Sequence, residues 1–326
     1  MPEGRETVMW TECLRFVSLM LCVSVLVGSL SCSKGKEVIS PDGPDTLCVC
    51  TDGDTLCYLS GGIVECSDSY ACWSPGGDLI AYTNDHGSRQ IWLMEPDGSN
   101  PRYLLEGSLP DWSPDGMAIA FERDLDIYVF SFVDSTVDRL TDNERSAFPD
   151  WSPDGTRIAY GTTSESGMWV MNSDGTDKRL LCWGGHPDWS PDGSALAYVG
   201  LPVGDNTNDV WTVDADGTNP RPVTDGQFKG TMGPQWSPDG DSIVWTAVRP
   251  NEQAVNIWVA RPDGTGLCKL ISGGATDASW SPDGKRIAHT RTLPGSCPGR
   301  FTRTIWVFEV ENCSKTQVTF PPGGAR

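Results

Sequence analysis

The heptapeptide Pro-Asp-Trp-Ser-Pro-Asp-Gly occurs three times, at Pro110 to Gly116, Pro149 to Gly155 and Pro187 to Gly193. Its tryptophan recurs at Trp73, Trp112, Trp151, Trp189, Trp236 and Trp280, in steps of 39, 39, 38, 47 and 44 residues. Self-similarity at such a period means stacked copies of one supersecondary unit, which leaves few architectures open. After each tryptophan comes Ser-Pro-Asp-Gly, except in the first copy, where Gly76 replaces the aspartate. A short apolar run follows, as in Ile119-Ala120-Phe121 and Ile158-Ala159-Tyr160. A third run is marked by Trp92, Tyr128, Trp169, Trp211, Trp258 and Trp306. Four copies then carry an Asp-Gly turn, at Asp97, Asp174, Asp216 and Asp263, before a short fourth run.

Runs rich in Ile, Val, Trp and Tyr, punctuated by Pro, Asp and Gly, read as strands. No helical period outlasts one of them. In Ser-Pro-Asp-Gly the proline presets φ, the aspartate caps local amides, and the glycine accepts positive φ. These acids are therefore turn caps and not catalytic carboxylates. Four antiparallel strands per copy, repeated six times, predict an all-β fold, a β-propeller of six four-stranded blades. A lone four-stranded sheet cannot bury both faces; between neighbours in a ring it can. The segment Thr46 to Leu59 reads as one more outer hairpin, so the alternative is seven blades with an incomplete N-terminal one. The expected division is 1–31 signal peptide, 32–46 tether, 47–62 N-terminal hairpin and 63–326 propeller.

The Trp-Ser-Pro-Asp-Gly turn, the Ile-Ala-Phe/Tyr strand and the Ile-Trp-Val-Met-x-x-Asp-Gly pattern resemble the WD-like repeat of TolB-type propellers. The resemblance runs from Tyr70 to Phe320 and departs at Gly76 in the first copy. TolB-type proteins carry an α/β domain before the propeller. About forty residues between Cys32 and the first blade are too few for one, so the resemblance implies a TolB-like propeller lacking it. Some pectate-degrading lyases share such a propeller and gather histidines around a metal. This chain has three histidines, His86, His186 and His289, and does not match that pattern. Prolyl oligopeptidases add an α/β-hydrolase domain to a propeller, but no G-x-S-x-G occurs here.

Arg5 and Arg15 precede an apolar run from Phe16 to Leu30, followed by Ser31-Cys32. That is the layout of an export signal. Cys32 then resembles the lipidated cysteine of a bacterial lipobox, although Ser29 stands where that motif favours Leu. An uncleaved anchor and simple secretion are the alternatives. Ser33 resembles the residue that permits sorting to the outer membrane. The expected location is the bacterial periplasm or cell surface, with the membrane reached only through an N-terminal lipid or anchor. Twelve cysteines suit an oxidising compartment. The spacing of Cys48, Cys50, Cys57, Cys66 and Cys72 matches no zinc or iron–sulfur pattern, so disulfides near the N-terminal hairpin are expected.

A formal charge of −20 excludes a nucleic-acid partner, which needs a basic face. The expected function is non-catalytic binding of an envelope protein, peptide or glycan by a monomer. A lyase or hydrolase acting on polysaccharide or peptide is the rival, and a structural or sensory ectodomain a third reading. Alternate loops emerge on opposite faces, and the Ser-Pro-Asp-Gly face is uniform. The other face carries long loops at 199–209, 246–256 and 290–303, and variable loops on a rigid scaffold house binding sites. Trp183, His186 and Phe228 are the candidate anchors there. Asp111, Asp150 and Asp188 each precede a repeat tryptophan. They are either a collecting point for Ca²⁺, an oxygen-seeking cation, or caps of connection turns in their own blades. No other cofactor is expected.

Overall fold

The computed structural model describes residues 67–85, 88–162, 167–200, 208–294, 301–310 and 314–317. The expected signal, tether, N-terminal hairpin and clustered cysteines before Ser67 lie outside them. All the described regular structure is β, in six four-stranded antiparallel blades. Blade 1 comprises β1 (Ser67–Trp73), β2 (Ile80–Asp85), β3 (Arg89–Met94) and β4 (Arg102–Glu106). Blade 2 holds β5 (Ser108–Trp112), β6 (Ala118–Arg123), β7 (Asp126–Ser131) and β8 (Val137–Arg139). In blade 3 come β9 (Ser146–Trp151), β10 (Arg157–Thr162), β11 (Gly167–Asn172) and β12 (Arg179–Trp183). Blade 4 is β13 (Gly185–Trp189), β14 (Ala195–Gly200), β15 (Asp209–Asp214) and β16 (Arg221–Pro222). Blade 5 contains β17 (Lys229–Trp236), β18 (Ile243–Val248), β19 (Asn256–Ala260) and β20 (Cys268–Ile271). Blade 6 ends the ring with β21 (Ala275–Trp280), β22 (Arg286–Pro294), β23 (Phe301–Glu309) and β24 (Ser314–Gln317).

The repeated turn does what its residues dictate. In every copy the glycine N–H donates to the serine carbonyl three residues back, at 2.8–2.9 Å, and the glycine sits at φ 69–76°. The serine hydroxyl reaches forward to the turn aspartate, as in Ser152 to Asp154 at 2.6 Å, and the Arg157 N–H donates to that same hydroxyl at 2.9 Å. In the first copy Asp78 takes the place of the missing acid, accepting from Ser74 Oγ at 2.8 Å. The glycines also set blade spacing. A Cβ on Gly193 would lie 3.3 Å from Pro153 of the preceding blade, and one on Gly155 3.4 Å from Pro114. Proline on glycine thus links successive turns on one face, except at Gly284, where a Cβ would meet nothing within 4 Å.

Between blades the core is apolar on both sheet faces. Ile119 and Phe121 of blade 2 pack with Ile91, Leu93 and Leu105 of blade 1. Ala197 and Val210 of blade 4 pack with Phe228, Trp245 and Trp258 of blade 5. Ring closure uses the same means: Trp73, Tyr82 and Met94 meet Ala288, Ile305 and Val307 of blade 6. One parallel bridge, Ser67 to Arg303, joins the two sheets. Each blade is built from one continuous stretch of the described chain, with no strand exchanged between blade 6 and blade 1.

Ser152 is fully buried and serves the Arg157 N–H, the Arg157 carbonyl and Asp154 together. Ser152→Ala should therefore cost about 1–3 kcal/mol, because a buried donor loses its partner. Asp154→Ala, at an exposed site, should cost less. Urea denaturation of both variants checks the order.

Candidate functional site

The innermost strand of each blade, β1, β5, β9, β13, β17 and β21, runs from the long-loop face to the Ser-Pro-Asp-Gly face and ends at a repeat tryptophan. Immediately before it stand Cys72, Asp111, Asp150, Asp188, Gln235 and Ser279. The three aspartates share one role. The Trp151 N–H donates to Asp111 Oδ2 at 2.7 Å, the Trp189 N–H to Asp150 Oδ2 at 2.7 Å, and the Trp236 N–H to Asp188 Oδ2 at 2.6 Å. Each acid thus braces the next blade, which corrects the expectation of caps within their own blades. The Cys72 thiol lies in the same relation to the Trp112 N–H, and its own burial pushes it up.

These acids flank the axis. Cys72, Asp111, Asp188, Gln235 and Ser279 line a cavity of about 180 Å³ at the turn-face mouth, together with Trp73, Trp189, Trp236 and Trp280. Burial pushes the Asp111 carboxyl from 3.8 up to about 7, against the N–H bonds from Trp151 and Trp112. Burial, then the charges of Asp188 and Asp111, hold Asp150 well above the carboxylate range. Asp188 is raised in the same way, by burial and by the charge of Asp111. Among the described residues no three His, Cys, Asp or Glu side chains meet within reach of one metal ion.

Three residues before each tryptophan, the innermost strand bends. Tyr70, Leu109, Phe148, His186, Gly233 and Asp277 all have φ between 51° and 56°. Register shifts mark bulges there, as between Ser108 and Asp111. For tyrosine, leucine and phenylalanine this left-handed conformation is uncommon, costs of order 1–3 kcal/mol, and collects at functional sites. The preceding blade holds it in place: the Leu109 N–H donates to Thr83 Oγ1 at 3.1 Å, and the Asp277 N–H to Thr246 Oγ1 at 3.2 Å. The bends bring rings together across the axis. Phe148 lies 3.8 Å from the His186 ring centroid and 6.5 Å from that of Tyr70, two blades away. Burial lowers His186 to about 4, so it is a neutral ring at physiological pH. Asp277 first, then burial, raises the Tyr70 hydroxyl to about 12.

A hollow of about 360 Å³ opens between blades 1 and 2 on the long-loop face, lined by Arg89, Glu106, Ser108, Glu122, Arg123 and Leu125 among others. It exists because the β6–β7 turn is only Asp124-Leu125, both at positive φ. Its buried Glu122 accepts from Ser108 Oγ at 2.6 Å and the Leu125 N–H at 2.7 Å, with Arg89 3.5 Å away.

The predicted anchors separate. Trp183 ends β12, the outermost strand of blade 3, and is 61% exposed, whereas His186 sits on an innermost strand in the ring cluster. Phe228 is a correction: fully buried, it packs on Trp258 at 5.0 Å and Trp245 at 5.6 Å, so it fills a core and cannot present a surface. His289 is buried opposite Trp306 in its expected aromatic slot, and His86 lies outside the described residues. Of the long loops, 249–255 is described, whereas 201–207 and 295–300 are not. Tyr70, Phe148 and Asp277 were not singled out by their sequence, although a variable position in an otherwise uniform register was a signal for them.

The family model described as TolB beta propeller domain matches residues 63–229, just over half of the chain. The chain belongs to that family. No curated protein matches it in sequence. Among solved structures, TolB from Acinetobacter baumannii is similar at a TM-score of 0.59 and 17% identity, over 78% of this chain and 63% of that one. Oligogalacturonate lyase from Vibrio parahaemolyticus is similar at 0.53 and 15% identity, over 78% of each chain. The propeller domain of the Trilobed protease from Pyrococcus furiosus, described as having an open velcro topology, is similar at 0.54 and 12%, over 78% and 98%. At these identities the likeness concerns the fold.

Two opposed pH limbs follow. A folded-state acid raised from 3.8 to about 7 holds a proton that the unfolded chain has released, so its contribution is full below about pH 4 and lost as pH rises through 7. The turn acids run the other way: Asp154, lowered to about 2 by the Ser152 and Thr156 bonds, stabilises above pH 4 and loses its effect as pH falls through 2. Thermal stability should peak near pH 4 and decline between about pH 4 and 7. Asp111→Asn, which keeps an acceptor for Trp151, should flatten that decline in a pH series of melts. An unchanged slope would remove the axial acids as its cause.

Proposed function

We propose that this chain is an exported, non-catalytic binding module of the bacterial cell envelope, which takes a protein or peptide partner on its long-loop face. The observation that carries the reading is the ring cluster of Tyr70, Phe148 and His186, with Arg89 and Glu122 of the hollow near enough for their charges to act on the Tyr70 hydroxyl. Tyr70, 38% exposed, borders Phe148 and feels the charges of Asp277, Arg303, Arg89 and Glu122. An aromatic floor with a few fixed polar groups is what a binding site needs for area and orientation. Trp183 adds an exposed anchor farther out on blade 3.

Chemistry finds less support there. His186 is neutral and packed against Phe148, and His289 is buried within a blade. The half-buried acids at the opposite mouth accept backbone N–H bonds between blades. Family membership also favours binding. Export rests on the Phe16 to Leu30 run and Cys32, which lie outside the described residues. Ca²⁺ at the three aspartates is not part of the proposal.

Tyr70→Ala or Trp183→Ala should weaken an envelope partner recovered by crosslinking by roughly tenfold or more, since losing an aromatic hot spot costs on the order of 2 kcal/mol. Asp154→Ala on the opposite face should leave affinity unchanged. Calorimetric titration beside thermal melts decides it, and unaltered affinity in both aromatic variants would remove the site from this face. Mass spectrometry of the native protein should find a diacylglyceryl-modified Cys32 as the mature N-terminus. An unmodified Cys32 or an intact Met1 would replace lipid anchoring with secretion or an uncleaved anchor.

A further inference from the structure

Blade 2 departs from the common pattern of the turn face in an apolar way. Equivalent positions are fixed by one backbone bond: Phe132 N–H to Met117 O in blade 2, Ser173 to Thr156 in blade 3, Ala215 to Ser194 in blade 4, and Val310 to Lys285 in blade 6, all at 2.9 Å. After the turn glycine, the other blades carry Asp78, Thr156, Ser194, Asp241 and Lys285, whereas blade 2 carries Met117. The β7–β8 turn is also one residue longer. Blade 3 closes from Asn172 to Thr176, with Asp174 accepting from the Thr176 hydroxyl. Blade 2 closes from Ser131 to Thr136, with Asp134 accepting from the Thr136 hydroxyl in the same way. The residue without a counterpart in blade 3 is Val133; blade 6 has a turn of the same length as blade 2, from Glu309 to Ser314.

That inserted valine is 79% exposed, and Met117 beside it is 53% exposed. Phe132 props them up, stacked on Trp112 at 5.4 Å and edge-on to Phe130 at 4.9 Å. An insertion that places an apolar side chain in water costs solubility and contributes nothing to the core. Its surroundings are acidic: Asp115 and Asp134 carry exposed carboxylates in the two adjoining turns, and Asp138 is exposed on β8. The two basic residues of blade 2 are engaged elsewhere, Arg139 with Asp126 and Arg123 over the Tyr128 ring.

We infer that Met117, Phe132 and Val133 form a second docking surface, for a basic amphipathic polypeptide segment whose apolar face covers them while its lysines or arginines meet Asp115, Asp134 and Asp138. Charge selects this occupant. A second copy of a chain at −20 is repelled, and so is an anionic bilayer. The surface is separate from the long-loop site, and neither depends on the other.

The test uses a helical peptide of about five turns with leucine on one face and lysine on the other, and an isomer of the same composition with the leucines dispersed. Both are titrated into the whole protein at physiological salt. The amphipathic peptide should bind, and Val133→Asp should weaken it about tenfold or more without altering the melt, as its side chain is exposed. Replacing Phe132-Val133-Asp134-Ser135 by the Ser-Asp-Gly of blade 3, with Met117→Thr, should abolish binding. Trp183→Ala should leave it unchanged, which separates this outcome from that of the long-loop reading. Equal affinity for both peptides, or for wild type and Val133→Asp, overturns the inference. So does binding confined to phosphatidylglycerol vesicles, or a wild-type dimer in light scattering that Val133→Asp dissolves.

Discussion

A four-stranded blade cannot stand alone, so everything here depends on how one blade meets the next. The contact has three parts, all within the repeated heptapeptide. The tryptophan packs between sheets, the glycine admits the proline of the preceding turn, and the aspartate before the tryptophan accepts the backbone N–H of the following one. The last part is unusual in kind. It places carboxylates on the axis, close enough to raise one another, and uses them as acceptors at three consecutive seams. Hydrogen bonds to charged or shared-proton carboxyls are stronger than neutral ones, but burying the charge is costly. The ring is thereby stiffened over blades 2 to 5 at the expense of pH tolerance.

Fold was legible because the repeat is a physical statement. Six copies of strand, turn and strand allow one closed arrangement, and the Ser-Pro-Asp-Gly turn forms as its residues dictate, even to Asp78 substituting for the acid missing at Gly76. The candidate site was less legible. Phe228 looks like a loop aromatic in sequence, but two tryptophans of blade 5 enclose it. His186 reads as a connection residue, and a bulge turns it toward Phe148 instead. No propensity scale expects tyrosine, leucine or phenylalanine at positive φ. At Leu109 that conformation is held by Thr83 of the neighbouring blade, a contact set by tertiary packing and invisible to local pattern.

The two faces therefore carry different kinds of information. On the turn face, sequence identity between copies enforces identical spacing, and departures such as Val133 are visible because the background is uniform. On the long-loop face, each innermost strand contributes a different side chain at the same bend, so a symmetric ring presents an asymmetric surface. Fold repetition supplies rigidity, and variation at one position per blade supplies distinction.

The central claim is that the aspartate seams bind the ring together. Native-state hydrogen exchange reads them one by one. The Trp151, Trp189 and Trp236 amides should exchange only through global unfolding. The Trp73 and Trp280 amides, whose preceding blades carry Ser279 and Gln235 at the aspartate position, should exchange sooner. Early exchange at Trp151, Trp189 and Trp236, or equal protection at all five, would contradict the account.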